Sequence, residues 1–338
     1  MNITSNISLK PYNTFGMDVT AKYFAAVKSV EDIQDVLLDP VCINHEKIIL
    51  GGGSNVLFTS NIEALIIKNE IPGIELLNQD EEHVYIKVGA GVNWHQFVMY
   101  CIENNYSGVE NLALIPGNIG ASPMQNIGAY GVEIKDVFHS LEAVSMQDKN
   151  LVTFHHKDCA FDYRESVFKN KYKNQFIITS VTYRLNKTPH YNISYGAIGA
   201  ELEKMNVQDV SIQSIAKAVM NIRTSKLPDP KIIGNAGSFF KNPEISSTHF
   251  NNLKKYFPDI VGYSKSDDTV KVAAGWLIEQ CGWKGYREGD AGCYDKQSLV
   301  LVNYGHAKGI DIFSLSEKIM ESVHQKFDIF LHREVNIF

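Results

Sequence analysis

The sequence predicts an α+β protein of two or three domains, and three observations carry that expectation. At 338 residues the chain exceeds the size at which a single hydrophobic core stops growing. Strand-like and helix-like hydrophobic periods alternate along it without a fixed repeat. One stretch, Ile115 to Gly131, is punctuated too densely by glycine and proline for either period, which marks it as a shaped loop.

The elements follow in order. An aromatic and aliphatic strand runs from Tyr23 to Lys28, and Ser29 with Asp32 resembles a capping box opening a helix through Ile33, Val36 and Leu37. The strand Ile48-Ile49-Leu50 then enters Gly51-Gly52-Gly53-Ser54-Asn55. Ile62 to Ile67 reads as a strand, and Val84 to Val88 alternates with period two. Trp94, Phe97, Val98, Cys101 and Ile102 recur at the spacing of a helix buried on one face. Beyond the loop, Leu141 to Ser145, Leu151 to Phe154 and Phe176 to Leu185 look like strands of a mixed sheet, with Phe161 to Lys169 turning between two of them. Ile212, Ile215, Ala216, Val219 and Ile222 form a helical stripe that must stop before Pro228 and Pro230. Helical patterns return at Val272 to Cys281 and from Ile312 to Phe327, with the strand Leu299 to Asn303 between them and a short strand, Val335 to Phe338, last.

Composition narrows the function classes. With 44% hydrophobic and 21% charged residues the chain is an ordinary globular one. A net charge of -6 gives no broad cationic field, so neither nucleic acid nor an anionic membrane is an expected partner, and an anionic ligand would need a local basic pocket. No leader pattern and no apolar run of roughly 20 residues is present, so a cytoplasmic protein without membrane insertion is expected. The five cysteines are odd in number, widely spaced and without a CxxC pair, which predicts reduced, mostly buried thiols. No HExxH occurs, and no metal site is expected.

Three segments could carry chemistry. In Gly51 to Asn55 the missing Cβ atoms would let backbone N–H groups approach phosphate oxygens, although a plain turn uses the same residues. The Ile115 to Gly131 loop is rich in amide side chains, which suit the paired donors and acceptors along a flavin or nucleotide edge. In Gly234 to Pro243, Ser238 lies between a glycine and two aromatic rings. A hydrolase elbow would need glycine where Phe240 stands, which leaves proton donation to a carbanion or an ST-turn hydroxyl.

These segments, with Asn13-Thr14-Phe15-Gly16 and Tyr163-Arg164-Glu165-Ser166-Val167-Phe168, closely resemble the motifs of UDP-N-acetylenolpyruvoylglucosamine reductases, in that family's order. Tyr195-Gly196-Ala197-Ile198 and the residues around Gln297 make the chain similar to the type I branch. The resemblance implies a two-part FAD-binding region of the PCMH/vanillyl-alcohol-oxidase-like kind plus a separate α+β substrate-binding domain. It places the first FAD subdomain at residues 1–68 with 329–338, the second at 69–210 with a tyrosine loop near Tyr195, and the UDP-sugar domain at 211–328. It implies non-covalent FAD, NADPH as co-substrate, UDP-N-acetylglucosamine enolpyruvate as substrate, and a monomer.

By the same resemblance the catalytic residues are Arg164 for the enolate, Ser238 as proton donor and Glu334 in support of the intermediate. FAD contacts fall at Gly51, Gly52, Gly53, Ser54, Asn55, Val56, Pro116, Gly117, Gly120, Ser122, Gln125, Asn126, Gly128, Ala129, Tyr130 and Ile178. Substrate contacts fall at Tyr195, Arg223, Lys226, Asn242, Lys284 and Gln297. One departure stands out: Arg333 occupies a position where several members carry proline, and a cation there is expected to lower the pKa of Glu334.

Overall fold

The structure, a computed structural model, describes residues 2–194 and 196–338. Its contacts partition the chain into two compact units, Met1–Ile7 with Ala21–Gly52 and Glu63–Ser225, and Ser8–Thr20 with Gly53–Ile62 and Lys226–Phe338.

The first unit holds two sheets. In the smaller, the strands run in the order Thr4–Ser8, Thr20–Val27, Ile62–Asn69, Lys47–Leu50, the last two parallel with Lys47 beside Leu65. The Val30–Leu38 helix begins as expected: the Ser29 hydroxyl accepts the Asp32 N–H at 3.1 Å. Its buried Ile33, Val36 and Leu37 meet Ala25, Val27, Leu65 and Ile67. The larger sheet orders Leu151–His155, Phe138–Ser145, Phe176–Asn186, His83–Gly89 and Ile74–Gln79, all antiparallel. The Trp94–Glu103 helix packs its expected apolar face into this core, where the Phe97 and Tyr183 ring centroids lie 4.7 Å apart.

The Ile212–Lys226 helix buries Ile215, Ala216, Val219 and Ile222 in that same core. The contact boundary therefore falls after Ser225, where the sequence suggested residue 210. The stripe needs an apolar partner, and the core of the larger sheet provides it.

The second unit contains a four-stranded antiparallel sheet ordered Gly234–Ser238, Val300–Asn303, Ala291–Cys293, Arg287–Glu288, and a three-stranded one ordered Glu244–Ser246, Thr269–Val272, Gly262–Ser266. The Gly309–Phe327 helix covers it with Ile312, Leu315, Ile319, Val323 and Phe327. Val272 belongs to a strand rather than to the helix expected there, which spans Ala274–Gln280. The last strand, Asn336–Ile337, pairs in parallel with Val56–Leu57. All five cysteines are free, and four are buried.

Candidate active site

The Lys47–Leu50 strand runs out into the glycine loop, where the chain passes from one unit to the other. In the first unit a Cβ on Gly52 would lie 3.0 Å from the Gly117 Cα and 2.9 Å from Asn118 Oδ1. In the second, Gly53 has φ +64°, and a Cβ there would run into the Tyr12 carbonyl. Both positions are closed to any side chain. The N–H groups of Gly52, Gly53 and Ser54 find no acceptor among the described residues. A run of unspent donors in a tight turn suits a diphosphate oxygen, so these residues fit FAD.

The Ile115 to Gly131 loop is tied down along its whole length within the first unit. Gly117 accepts the Trp94 N–H at 2.9 Å, and Ile119 and Gly120 donate to the carbonyls of Val92 and Ala90, each at 2.9 Å. Ser122, expected to face the cofactor, is buried, and its hydroxyl is shared between the Ile119 carbonyl (2.8 Å) and the Tyr183 hydroxyl (2.7 Å). Burial pushes the Tyr183 phenol well above its ordinary value, so it stays protonated. Asn126 is also buried; its amide donates to Glu133 Oε2 and the Asp162 carbonyl, both at 3.0 Å, and accepts the Lys135 N–H at 3.1 Å. The side chains of Ser122 and Asn126 therefore shape the loop from within, and Ile178 is a buried strand residue whose carbonyl accepts from Asn69 at 2.8 Å. Pro116 is exposed, and Gly117, Gly120, Gln125, Gly128, Ala129 and Tyr130 are half-buried along the same loop.

Arg164 is brought to this loop. The Ser166 hydroxyl donates to the Met124 carbonyl at 2.7 Å, which stitches the turn down. Arg164 itself has φ +54°, and its guanidinium donates to the carbonyls of Gly128 (2.5 Å) and Asn126 (3.4 Å). A half-buried cation is thereby aimed by two main-chain oxygens of the loop.

In the second unit the other two expected catalytic residues come together. Gly237, at φ +68°, makes a bulge opposite the Val300–Asn303 strand and turns Ser238 outward, so that it is exposed between buried Ala236 and Phe239. The Ser238 hydroxyl makes no hydrogen bond among the described residues. The Glu334 N–H donates to the Phe239 carbonyl at 2.8 Å, which sets Glu334 one residue away across the pairing. Asn55 joins them: its amide donates to the Glu334 carbonyl at 3.2 Å, and its carbonyl accepts the Asn336 N–H at 3.1 Å.

Arg333, expected to lower the Glu334 pKa, has its described partners elsewhere. Its guanidinium ion-pairs with Glu317, donates to the Ser316 hydroxyl at 2.8 Å and lies over the Phe313 ring, all on the Gly309–Phe327 helix.

The expected substrate residues divide. Asn242 accepts the Ala274 N–H at 2.9 Å, and a Cβ on Gly275 would lie 3.2 Å from Gln297 Oε1, so both amides meet at the first turn of the Ala274–Gln280 helix. Lys284 lies apart and pairs with Glu279 at 2.8 Å. Lys226 is exposed at the end of its helix, whereas Arg223 is half-buried in the first unit, against Leu114 and Tyr130. Tyr195 lies outside the described residues.

Sequence reasoning missed several supports. The Thr14 hydroxyl donates to the Asn235 carbonyl at 2.6 Å, and its N–H donates to the Gly53 carbonyl at 3.0 Å, so the Asn13 to Gly16 segment joins the glycine loop to the strand bearing Ser238. Buried Asn111 donates to the Tyr130 carbonyl at 2.9 Å. The signal for Asn111 was a polar residue inside an apolar run.

Residues 21–154 match the FAD binding domain family, and residues 229–338 match the family described as UDP-N-acetylenolpyruvoylglucosamine reductase, C-terminal domain. The UDP-N-acetylenolpyruvoylglucosamine reductase of Flavobacterium johnsoniae is 50% identical over 338 residues, covering 100% of both chains. That of Amoebophilus asiaticus is 46% identical over 337 residues, covering 100% of this chain and 99% of its own. Among solved structures, the UDP-N-acetylenolpyruvylglucosamine reductase of Thermus caldophilus superposes with a TM-score of 0.69 at 22% identity, over 100% of this chain and 99% of its own, a likeness of fold.

Proposed function

This chain belongs to the UDP-N-acetylenolpyruvoylglucosamine reductase family, and from that premise we propose how its residues divide the NADPH-dependent reduction of UDP-N-acetylglucosamine enolpyruvate to UDP-N-acetylmuramate, a step of peptidoglycan precursor synthesis. When bound, FAD supplies the hydride carrier between NADPH and the enolpyruvyl double bond. The residues Gly51 to Val56 would hold its diphosphate, and the backbone from Pro116 to Tyr130 its remaining polar edge. The three-part division at residues 68, 210 and 328 is retained as a functional one.

Hydride addition to the terminal carbon of the enolpyruvyl group leaves an electron pair delocalised over the adjacent carbon and its carboxylate. Arg164 stabilises that negative charge, because a cation fixed beforehand by the carbonyls of Gly128 and Asn126 need not reorganise. The Ser238 hydroxyl gives its proton to the adjacent carbon, and its exposure lets water restore it. Glu334 supports the same intermediate, an aid that is greatest when its carboxyl carries a proton. Tyr195, Lys226, Asn242, Lys284 and Gln297 bind the UDP-sugar, with Asn242 and Gln297 acting from one helical turn. We place the enzyme in the cytoplasm as a monomer, serving cell shape and division.

The observation that supports this reading most is the Ser238 hydroxyl, exposed and without a hydrogen bond among the described residues, one residue from the Phe239 carbonyl that accepts the Glu334 N–H. The test is anaerobic reduction of the bound flavin by NADPH followed by addition of the UDP-enolpyruvyl sugar. Reoxidation by that sugar and not by simple enolpyruvates is expected; reoxidation by neither would defeat the assignment.

A further inference from the structure

Leu114, the residue before the flavin loop, is not a glycine, yet it has φ +60°. Two side chains hold it there. Its N–H donates to His95 Nδ1 at 3.1 Å, and its carbonyl accepts from Arg223 Nε at 3.3 Å. The same guanidinium hydrogen-bonds the Tyr130 side chain, so Arg223 holds the loop at both ends. A main-chain N–H can only donate, which makes Nδ1 an acceptor and the imidazole neutral, with its proton on Nε2. His95 stands in the first turn of the Trp94–Glu103 helix, beside Trp94, whose N–H binds the Gly117 carbonyl inside the loop.

We propose that His95 is a positioning residue for the flavin loop, fixing Leu114 in its left-handed conformation as a neutral imidazole and releasing it on protonation. Protonation puts a hydrogen on Nδ1, so that two donors would face each other. It also sets a second cation beside Arg223, the charged group that faces His95 from the packed helix, while Tyr130 reaches that guanidinium from the loop. Burial, and after it the Arg223 charge, hold the imidazole below its ordinary value. Because the folded-state pKa is depressed, the contact is intact above the ordinary histidine range of about 6.5 and is lost as pH falls through the lower folded value. The inference rests on FAD being held by this loop.

The experiment measures FAD affinity by flavin fluorescence quenching at pH 7.5 and pH 5.0 for the wild type, His95→Asn and His95→Leu. An asparagine Oδ1 replaces the acceptor without titrating. The wild type is expected to bind FAD about fivefold more weakly at the lower pH, His95→Asn equally at both, and His95→Leu more weakly at both. A wild-type affinity that does not change with pH, or a folded His95→Leu that binds as tightly as the wild type, overturns the proposal. If His95→Leu does not fold, the asparagine comparison alone decides. Failure of the wild type to bind FAD even at pH 7.5 brings down the loop assignment itself, an outcome distinct from tight binding with no pH dependence.

Discussion

The flavin loop and the Ser238 loop are both rich in glycine and polar side chains, yet they dispose of them in opposite ways. Between Ile115 and Gly131 the polar groups turn inward: Ser122 and Asn126 are buried and fully engaged, and Arg164 and Asn111 arrive from outside to hold carbonyls. Around Ser238 the scaffold is main chain, through Leu299, His332 and Glu334, and the side chain is left exposed with no hydrogen bond among the described residues. One loop uses side chains to present backbone, and the other uses backbone to present a side chain. The first arrangement suits a cofactor that stays, whereas the second suits a proton that must leave.

The sharpest way to break this comparison is Ser238→Ala. It should slow reduction of the sugar by about 10²- to 10⁴-fold while leaving flavin reduction by NADPH nearly unchanged, as stopped-flow of the two half-reactions would read. Equal slowing of both would mean that Ser238 serves structure. Gly53→Ala tests the backbone side: with a positive φ and the Tyr12 carbonyl in the way, it should cost roughly 3 kcal/mol of stability in urea unfolding. A cost near zero would show that the turn is soft and its donors not fixed. The smallest effect belongs to Tyr183→Phe, which removes one of two partners of the Ser122 hydroxyl. A loss of about 1–2 kcal/mol with weaker FAD retention is expected; unchanged retention would separate Tyr183 from the loop's geometry.

The helices and strands with a clear period were legible because one buried face repeats its own signal. The helix stripe from Ile212 to Ile222 was legible, but its companion, the core of the larger sheet, was not, because a stripe announces that it needs a partner without saying which. Exposed elements such as the Ile74–Gln79 strand and the Ser247–Tyr256 helix gave no signal, since little of either is buried. At the site, the residue types of Ser122 and Asn126 suggested ligand contacts, and only the third dimension shows that their partners are Tyr183, Glu133 and Asp162. His95 was hidden among core residues of its helix, because a histidine that accepts one main-chain hydrogen reads in sequence like any other. Arg333 was read for its neighbour in sequence, whereas its described partners, Glu317, Ser316 and Phe313, lie on the Gly309–Phe327 helix.

The pairing of Asn336–Ile337 with Val56–Leu57 also governs timing. Asn55 and Glu334 are 279 residues apart, and the second unit combines segments on either side of almost the whole first unit. During translation the first unit can gather its core early, but Val56–Leu57 must wait for its partner Asn336–Ile337 to be made. Glu334 and Asn55 therefore become neighbours only after the 279-residue span separating them has been made. A nascent or truncated chain can carry a well-formed Ile115–Gly131 loop while Glu334 is still missing from beside Phe239.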